Sequence, residues 1–283
     1  MSRPSSLPFH PQCQDTRNAH HYNESPSRAR ITAVNPWLIG APVAAAAAAG
    51  GLAYAAFHPR SQIFGSHVHS TRSAGKLAIT FDDGPNPSIT PQLLDLFEKY
   101  GARATFFVIG EFVREVPDLL RDTIARGHSI GNHTERHPNL FWRTPSLIRE
   151  ELEGCSGAIS EFLGAPPKWF RPPFGLRNPW VIPAANQLGM QTVMWSLLPG
   201  DWRAQSAEWL IPRLEPIATR AVANSDGQGN FRANVPGDIL CLHDGYHRHQ
   251  NGDRCPTVKA MKYWLPRWRD LGLEFVTIDE AVR

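Results

Sequence analysis

The sequence predicts an α/β protein whose parallel sheet is closed into a barrel. Between residues 76 and 283, strand-like and helix-like segments alternate about seven times, which is typical of a parallel sheet covered by helices. Polar clusters follow these strand-like segments, and each cluster follows a different one. The catalytic residues of an αβ barrel lie at the C-terminal ends of its strands. We therefore expect the polar clusters to meet at one end of a barrel.

A polar tail and an apolar run precede this region. Residues 1–34 contain Pro, Ser and His without an apolar period, which predicts a disordered tail. Within residues 35–58, the 21 residues from Trp37 to Phe57 carry no charge, about enough to cross the hydrocarbon core as one helix. Basic residues precede this run, which favours an N-terminus kept in the cytoplasm. Residues 59–75 predict a linker.

The apolar run has two leading interpretations, which the sequence leaves open. Small residues at Ala53-Tyr54-Ala55 suit cleavage of a signal peptide, whereas the long tail and the length of the run favour an uncleaved transmembrane anchor. We favour the anchor. A buried helix of a soluble domain is less favoured, because Pro42 and Gly50-Gly51 weaken a helix in water. Either leading interpretation places the catalytic domain outside the cytoplasm, at the periplasm or cell surface if anchored and secreted if cleaved.

The elements of the main domain, residues 76–283, follow from hydrophobic spacing and from helix start signals. The helix predicted over 87–100 has its apolar residues at helical spacing, and the helix over 144–163 begins with Thr144 as a cap and Pro145 in the first turn. The other predicted helices cover 111–126, 178–188, 204–223 and 257–270. The strand-like segments cover 76–81, 104–109, 128–133, 168–174, 191–197, 239–243 and 274–278.

Length and composition exclude several classes of protein. The 283 residues suffice for one catalytic domain of about 200 residues. The net charge is only +3 and the basic residues are scattered, so we do not expect nucleic acid as a partner. The four cysteines contain no C-x-x-C, which excludes a zinc ribbon and a redox motif. A Cys241–Cys255 disulfide and the oligomeric state are left open.

The first polar cluster is T-F-D-D-G-P at residues 80–85, directly after an apolar strand-like segment. Neighbouring side chains of a regular strand point to opposite faces. Asp82 and Asp83 can therefore share a pocket only where the pleat breaks, and Gly84-Pro85 is such a place. The pair predicts two different roles at one site.

The second cluster contains His133 and His137, four residues apart. On one face of a helical turn, both imidazoles can reach one metal ion. Such a pair is weak evidence in a chain with 12 histidines, but an Asp at a neighbouring strand end strengthens it. Two His and one carboxylate leave the fourth tetrahedral position open, which is typical of catalytic zinc.

Three further clusters follow later strand-like segments. In R-P-P-F-G at 171–175, two prolines stiffen the backbone, so Arg171 is suited to holding a carboxylate. Asp201 and Trp202 follow the segment that ends at residue 197. His243 ends the apolar strand of L-H-D-G at 242–245.

Taken together, the motifs T-F-D-D-G-P, H-T-x-x-H-P, R-P-P-F-G, D-W and L-H-D-G, in this order, resemble those of the polysaccharide deacetylases of the NodB-homology type, carbohydrate esterase family 4. The resemblance covers roughly residues 76–283. It implies a distorted (β/α) barrel. It also implies a metal-dependent hydrolase that removes acetyl groups from N-acetylated sugars.

The resemblance also implies a role for each matching residue. A divalent metal, with zinc as the expected ion, is bound by Asp83, His133 and His137. Asp82 is implied to be the general base, held in place by Arg171, and His243 to be the general acid, paired with Asp201. Trp202 and Leu242 are implied to line the acetyl pocket. The backbone N–H of Phe174 is implied to stabilise the oxyanion. One position departs from the family: Leu198 stands where an Asp is common, which puts the substrate rim in question.

Three functions are compatible with this pattern. The first is a membrane-anchored deacetylase of N-acetylglucosamine-containing glycans, such as peptidoglycan or chitin-type oligosaccharides. The second is an O-acetyl esterase acting on xylan or a similar polymer. The third is a non-catalytic sugar-binding protein, against which the presence of both a base and an acid argues. The expected partners are an acetylated glycan and the membrane.

Several residues near the motifs are not assigned to the site. We expect His247 and His249 to lie in an exposed loop, and Asp244 to be a turn residue before Gly245. Trp142 and Trp180 follow the second and third clusters. They are candidates for stacking on sugar rings or for packing.

Overall fold

Seven parallel strands form one sheet within residues 36–283, the part of the chain that the computed structural model describes. The predicted tail, residues 1–34, lies outside the described residues. The strands are β1 Lys76–Gly84, β2 Thr105–Val108, β3 Ser129–Asn132, β4 Trp169–Phe170, β5 Gln191–Thr192, β6 Asp238–His243 and β7 Glu274–Val276. Their order is β5-β4-β3-β2-β1-β6, and β7 pairs with the start of β1.

Ten α-helices accompany these strands in the described part of the chain. They are α1 Pro36–Phe57, α2 Thr90–Lys99, α3 Gly110–Glu115, α4 Pro117–Ala125, α5 Pro145–Leu163, α6 Val181–Gln187, α7 Ala207–Leu210, α8 Glu215–Asn224, α9 Cys255–Asp270 and α10 Ile278–Ala281. The segment Gly40–Phe57 of α1 is long and apolar enough to cross a membrane. The capped start predicted for α5 is confirmed, since the Thr144 side chain accepts from the amide of Leu147.

Prolines divide two of the predicted helices. The segment 111–126 forms two helices, α3 and α4, which meet at Val116-Pro117. Proline has no N–H and disfavours the helical conformation of the residue before it. The segment 204–223 is likewise divided into α7, a short 3₁₀ helix and α8, with Pro212 and Pro216 at the two later starts.

The sheet curls into a distorted barrel, as the resemblance implies. β1 lies between β2 and β6, and β2 to β5 follow in chain order on one side. The segment after β5 returns to β6 through a single bridge between Leu197 and Leu240, so the closure is irregular. The strand predicted over 191–197 is regular only at Gln191–Thr192.

Alternation along β1 separates the core into two layers. Leu77, Ile79 and Phe81 are buried on the face that packs against the helices. Ala78 points the other way, into the interior cluster of the barrel. Asp82 continues this inward series, which places its carboxylate at the C-terminal end of the barrel interior.

The cysteines form no disulfide among the described residues. Cys155, Cys241 and Cys255 are free thiols. Cys241 is buried inside the barrel, whereas Cys255 is exposed at the start of α9. The Cys241–Cys255 bridge left open above is therefore absent from this structure.

Candidate active site

The two adjacent carboxylates of β1 face one cleft because the strand breaks between them. Asp83 has a left-handed backbone with φ of +71°, and the pairing with β2 shifts register between Asp82 and Gly84. A regular strand would turn the two side chains to opposite faces. The sequence predicts the break at Gly84-Pro85, and the structure places it one residue earlier, at Asp83.

A glycine of the L-H-D-G motif packs directly against this bend. The amides of Asp244 and Gly245 donate to the carbonyl oxygen of Asp82 at 3.2 and 3.4 Å. A Cβ atom on Gly245 would overlap the carbonyl oxygen of Asp83. Any side chain at position 245 would therefore displace the Asp83 backbone.

Asp83, His133 and His137 form a buried group that could hold a metal ion. Oδ1 of Asp83 lies 3.1 Å from Nε2 of His137 and 3.4 Å from Nε2 of His133. The three candidate ligand atoms lie within 4.8 Å of one another. Oδ1 of Asp83 is buried and accepts no hydrogen bond of good geometry from residues 36–283. An unpaired buried oxygen is costly, and a cation held by the three atoms would neutralise it.

The surroundings favour the metal-binding forms of Asp83 and His137. Burial lowers the pKa of His137, which favours the neutral imidazole. Burial raises the pKa of Asp83, but contacts with His133, His137 and His247 outweigh burial and hold that pKa well below its ordinary value. Nδ1 of His133 lies 2.8 Å from the carbonyl oxygen of Arg171, which leaves Nε2 free to act as a ligand. Neutral imidazoles and an ionised carboxylate are the forms that bind metals.

The other carboxylate, that of Asp82, is held by the fully buried Arg171. Nη1 of Arg171 donates to Oδ1 of Asp82 at 2.8 Å. Nε and Nη2 donate to the carbonyl oxygens of Val193 and Met194, both at 3.2 Å. The thiol of Cys241 donates to Oδ2 of Asp82 at 3.3 Å. Both carboxylate oxygens of Asp82 therefore have a partner that fixes their position.

His243, at the end of β6, is paired with Asp201. Nδ1 of His243 lies 2.9 Å from Oδ1 of Asp201, and the backbone N–H of His243 donates to Oδ2 at 2.8 Å. The Thr257 hydroxyl donates to the same Oδ2 at 3.1 Å. Burial lowers the pKa of His243, but Asp201, followed by Asp83 and Asp82, outweighs burial and raises it to about 9. His243 is therefore protonated at neutral pH.

Known proteins share sequence and fold with this chain. Residues 69–193 match the family model described as polysaccharide deacetylase. A peptidoglycan-N-acetylglucosamine deacetylase of Bacillus cereus is 39% identical over 208 residues, which are 73% of this chain and 88% of that protein. The chain belongs to the polysaccharide deacetylase family. It is therefore a hydrolase, as its motifs predict.

Two further similarities support the family and the fold. A chitooligosaccharide deacetylase of Azorhizobium caulinodans is 32% identical, over 72% of this chain and 93% of that protein. The crystal structure of a peptidoglycan N-acetylglucosamine deacetylase in complex with 4-naphthalen-1-yl-N-oxidanyl-benzamide matches with a TM-score of 0.63 and 28% identity, over 76% of this chain and 92% of that chain. The predicted family and fold class are confirmed.

The polar clusters of this deacetylase line one cleft of about 380 Å³. Phe174, Trp195, Leu198 and Trp202 form its apolar wall. Phe174 has a left-handed backbone with φ of +57°, and its ring meets that of His137 edge-on at 4.6 Å. Leu198, the position at which the sequence departs from the family, therefore lies on the wall itself.

Leu242 does not line the cleft, contrary to what the resemblance implies. It is fully buried in the outer core layer, together with Leu240 and Phe81. Side chains alternate along β6, so Cys241 and His243 face the cleft instead. The regular pleat of β6 turns the side chain of Leu242 away from the cleft.

His247 reaches the metal-ligand group, although its place in the sequence predicted an exposed loop residue. Its Nδ1 lies 3.8 Å from Oδ2 of Asp83, and its ring stacks on that of His137 at 4.6 Å and 20°. Its side chain is 26% exposed, so the expectation of an exposed loop residue is corrected. The one local signal is its distance of four residues from His243, the spacing that also separates His133 from His137.

We expect His247→Ala to weaken metal binding about 10- to 100-fold, the usual cost of losing a contact to a metal ligand. The physical reason is that the imidazole steadies the Asp83 oxygen that faces away from the other two ligands. Isothermal titration of the metal-free full-length chain with Zn²⁺ measures the change. His249→Ala, from the exposed part of the same loop, serves as the control. Equal affinities of the two variants would contradict the prediction.

Proposed function

We propose that the protein removes the N-acetyl group from N-acetylglucosamine units of peptidoglycan or of chitin-type oligosaccharides. The deacetylase activities for which the two relatives above are named support this substrate class. The observation that carries the proposal is the convergence of a held carboxylate, Asp82, and a protonated imidazole, His243, beside one buried ligand group. A protein that only binds sugar needs neither the base nor the acid.

In the proposed reaction, Asp82 is the general base. Hydrolysis of an amide requires that water lose a proton as it attacks the acetyl carbon. The buried Arg171 holds one oxygen of Asp82, and the Cys241 thiol contacts the other. With its position fixed, the carboxylate accepts the proton without first reorganising.

His243 is the proposed general acid. The departing sugar amine needs a proton, because an amine anion is a poor leaving group. Asp201 keeps His243 protonated and also binds its backbone N–H, which orients the ring. Trp202 lies edge-on to His243 at 5.2 Å and would pack against the acetyl group. The backbone N–H of Phe174 would donate to the oxygen that gains charge.

Asp83, His133 and His137 would hold a divalent metal, for which we propose zinc. Two His and one carboxylate that leave a coordination position open favour this ion. When bound, the metal would polarise the acetyl carbonyl and lower the pKa of water towards 7.

The proposed place of action is outside the cytoplasm, with the protein anchored in the membrane by α1. The apolar segment Gly40–Phe57 and the preceding basic residues support this orientation. An exported enzyme meets peptidoglycan directly, which agrees with the proposed substrate.

Acetate release tests the proposal. The detergent-solubilised full-length chain is treated with chelator, reloaded with Zn²⁺ and offered a chitin oligosaccharide, peptidoglycan and acetylated xylan in parallel. We expect metal-dependent release from the N-acetylated glycans. Release from xylan alone would make the protein an O-acetyl esterase, and release from none of the three would favour a sugar-binding protein.

We expect Asp82→Asn to lower acetate release about 10²- to 10⁴-fold, because the variant lacks the general base. The metal content, measured by elemental analysis, should stay unchanged, since Asp82 is not among the proposed ligands. Asp118→Asn, a change of an exposed carboxylate on α4, serves as the matched control. Full activity of Asp82→Asn would remove Asp82 from the mechanism.

The pH profile tests the acid. The pKa of His243 is raised to about 9, so the protonated form persists through neutral pH and the rate falls as pH rises through that value. A bound cation offsets the charge of Asp83, so the fall occurs at or below that pH in the loaded enzyme. Asp201→Asn removes the largest contribution that raises this pKa, and we expect the fall in kcat/KM to move to lower pH. An unmoved alkaline limb would argue against His243 as the acid.

A further inference from the structure

The last turn of α1 is built into the catalytic domain. Residues 40–54 of the helix are exposed, whereas Ala55 and Ala56 are 1% and 0% exposed. Phe57 then stacks on Phe141 with the ring centroids 5.9 Å apart. The end of the apolar helix therefore packs as a core element does, rather than as the start of a flexible linker.

Arg177 holds this turn in place through hydrogen bonds to backbone carbonyls. It is fully buried, and its Nη2 donates to the carbonyl oxygens of Ala55 at 3.2 Å and of His58 at 2.7 Å. Its backbone N–H donates to the carbonyl oxygen of Ala56 at 3.3 Å. The carbonyls of Ala55 and Ala56 belong to the last turn of the helix, where carbonyls lack intrahelical partners, and a cation beside them also complements the helix dipole. The carbonyl of His58, one residue beyond the helix, also accepts from the backbone N–H of Ser61.

The described residues offer Arg177 little besides the helix end. Burial lowers its pKa to about 10, and its Nε and Nη1 atoms have no hydrogen-bond partner within residues 36–283. A buried guanidinium is tolerated only when it is paired. Loss of the helix end would therefore leave the buried guanidinium with a single side-chain hydrogen bond, to the carbonyl oxygen of His58.

Cleavage of a signal peptide at Ala53-Tyr54-Ala55 conflicts with this arrangement. A cut after Ala55 would remove one of the two carbonyls that Nη2 binds. It would also place the new ammonium group of Ala56 next to the guanidinium of Arg177. Two cations would then face each other in a buried place, which is unfavourable.

Two exposed tryptophans are connected to the same helix end through intervening residues. The ring of Phe141, which Phe57 contacts, meets Trp142 edge-on at 4.5 Å, and Trp142 is 78% exposed. Asn178 follows Arg177 and donates to the carbonyls of residues 140, 141 and 143. Its side chain also accepts from the amide of Trp180, which is 53% exposed. Ring contacts therefore link Trp142 to the helix end, and the hydrogen bonds of Asn178, the neighbour of Arg177, link Trp180 to it.

The position of these tryptophans fits a lipid surface better than a glycan. Neither Trp142 nor Trp180 is among the residues that line the catalytic cleft. Tryptophans collect at the boundary between water and lipid, where an apolar helix leaves the bilayer. The exposed, uncharged stretch of α1 that leads to this boundary is stable in hydrocarbon and unfavourable in water.

We propose that α1 is retained in the mature protein and that its last turn, fastened by Arg177, holds the catalytic domain against the lipid bilayer through Trp142 and Trp180. This inference rests on the proposed export but is independent of the glycan substrate. The partner is the bilayer surface into which α1 continues.

The first test is the intact mass of the full-length chain purified from bacterial membranes through a C-terminal tag. We expect a mass that includes residues 1–57. A mature chain that begins at or near Ala56 would overturn the proposal. Acetate release from the same preparation is measured separately, so a failure of the substrate assignment is not confused with a failure of the anchor.

The second test measures whether Trp142 and Trp180 contact lipid or water. The full-length chain is labelled with 5-fluorotryptophan and reconstituted in lipid nanodiscs, and Trp142→Phe and Trp180→Phe assign the two fluorine signals. We expect a lipid-borne nitroxide to broaden both signals and a water-soluble gadolinium chelate to spare them. Trp202, which is 41% exposed on the cleft, is the matched control and should respond in the opposite way.

Two results would overturn docking on the bilayer. One is a response of both signals to the gadolinium chelate that equals the response of Trp202. The other is a shift of both signals on addition of a chitin oligosaccharide without any effect of the lipid nitroxide, which would assign the tryptophans to the glycan.

The third test addresses Arg177. We expect Arg177→Met to abolish the broadening of both tryptophan signals by the lipid nitroxide, because the helix end is released. Arg177→Lys, which keeps a charged donor, should retain part of the effect. Arg143→Gln, a change of an exposed neighbour, is the control. Unchanged broadening in folded Arg177→Met would remove Arg177 from the proposal.

Discussion

The buried guanidinium of Arg171 is the contact on which the catalytic arrangement depends. It binds Thr80 and Asp82 of β1, reaches two carbonyls of the segment after β5, and lies over the Phe107 ring of β2 at 4.2 Å. Its own carbonyl oxygen accepts from His133 after β3. One side chain thus connects strands that are far apart in the sequence. Removing one partner of a buried ion pair costs about 3–5 kcal/mol, so the position of Asp82 and the curl of the sheet stabilise each other.

The backbone around the cleft is held in conformations that L residues rarely adopt. Asp83, Thr134, His137 and Phe174 all have positive φ, and only Asn234 shares this among the non-glycine residues of the described chain. Such residues cost about 1–3 kcal/mol each and persist only where the surroundings enforce them. Here the strain turns carboxylate, imidazole and phenyl groups towards one cleft. The packing of the barrel end therefore fixes the ligand group before any substrate enters.

The cleft and the helix end are built on one short segment between β4 and α6. Arg171 fixes Asp82 at its start, Phe174 forms part of the cleft wall, and Arg177 and Asn178 hold the end of α1 and the loop that carries Trp142. Seven positions therefore separate Arg171, the partner of the proposed general base, from Asn178, which binds the loop that carries Trp142. So short a connection limits movement of the cleft relative to the last turn of α1.

By itself, the sequence determined the alternation of strands and helices, the family and the composition of the metal-ligand group. Each motif lies at the end of one strand, and its residues are neighbours in the chain, so local spacing carries that information. Two predictions were wrong. The helix predicted over 111–126 is divided at Pro117, and the pleat of β6 turns Leu242 away from the cleft. Only the tertiary structure decided that His247 meets Asp83 and that Arg177 binds the helix end. These contacts join distant segments through backbone carbonyls and loop paths, for which no spacing along the chain is characteristic.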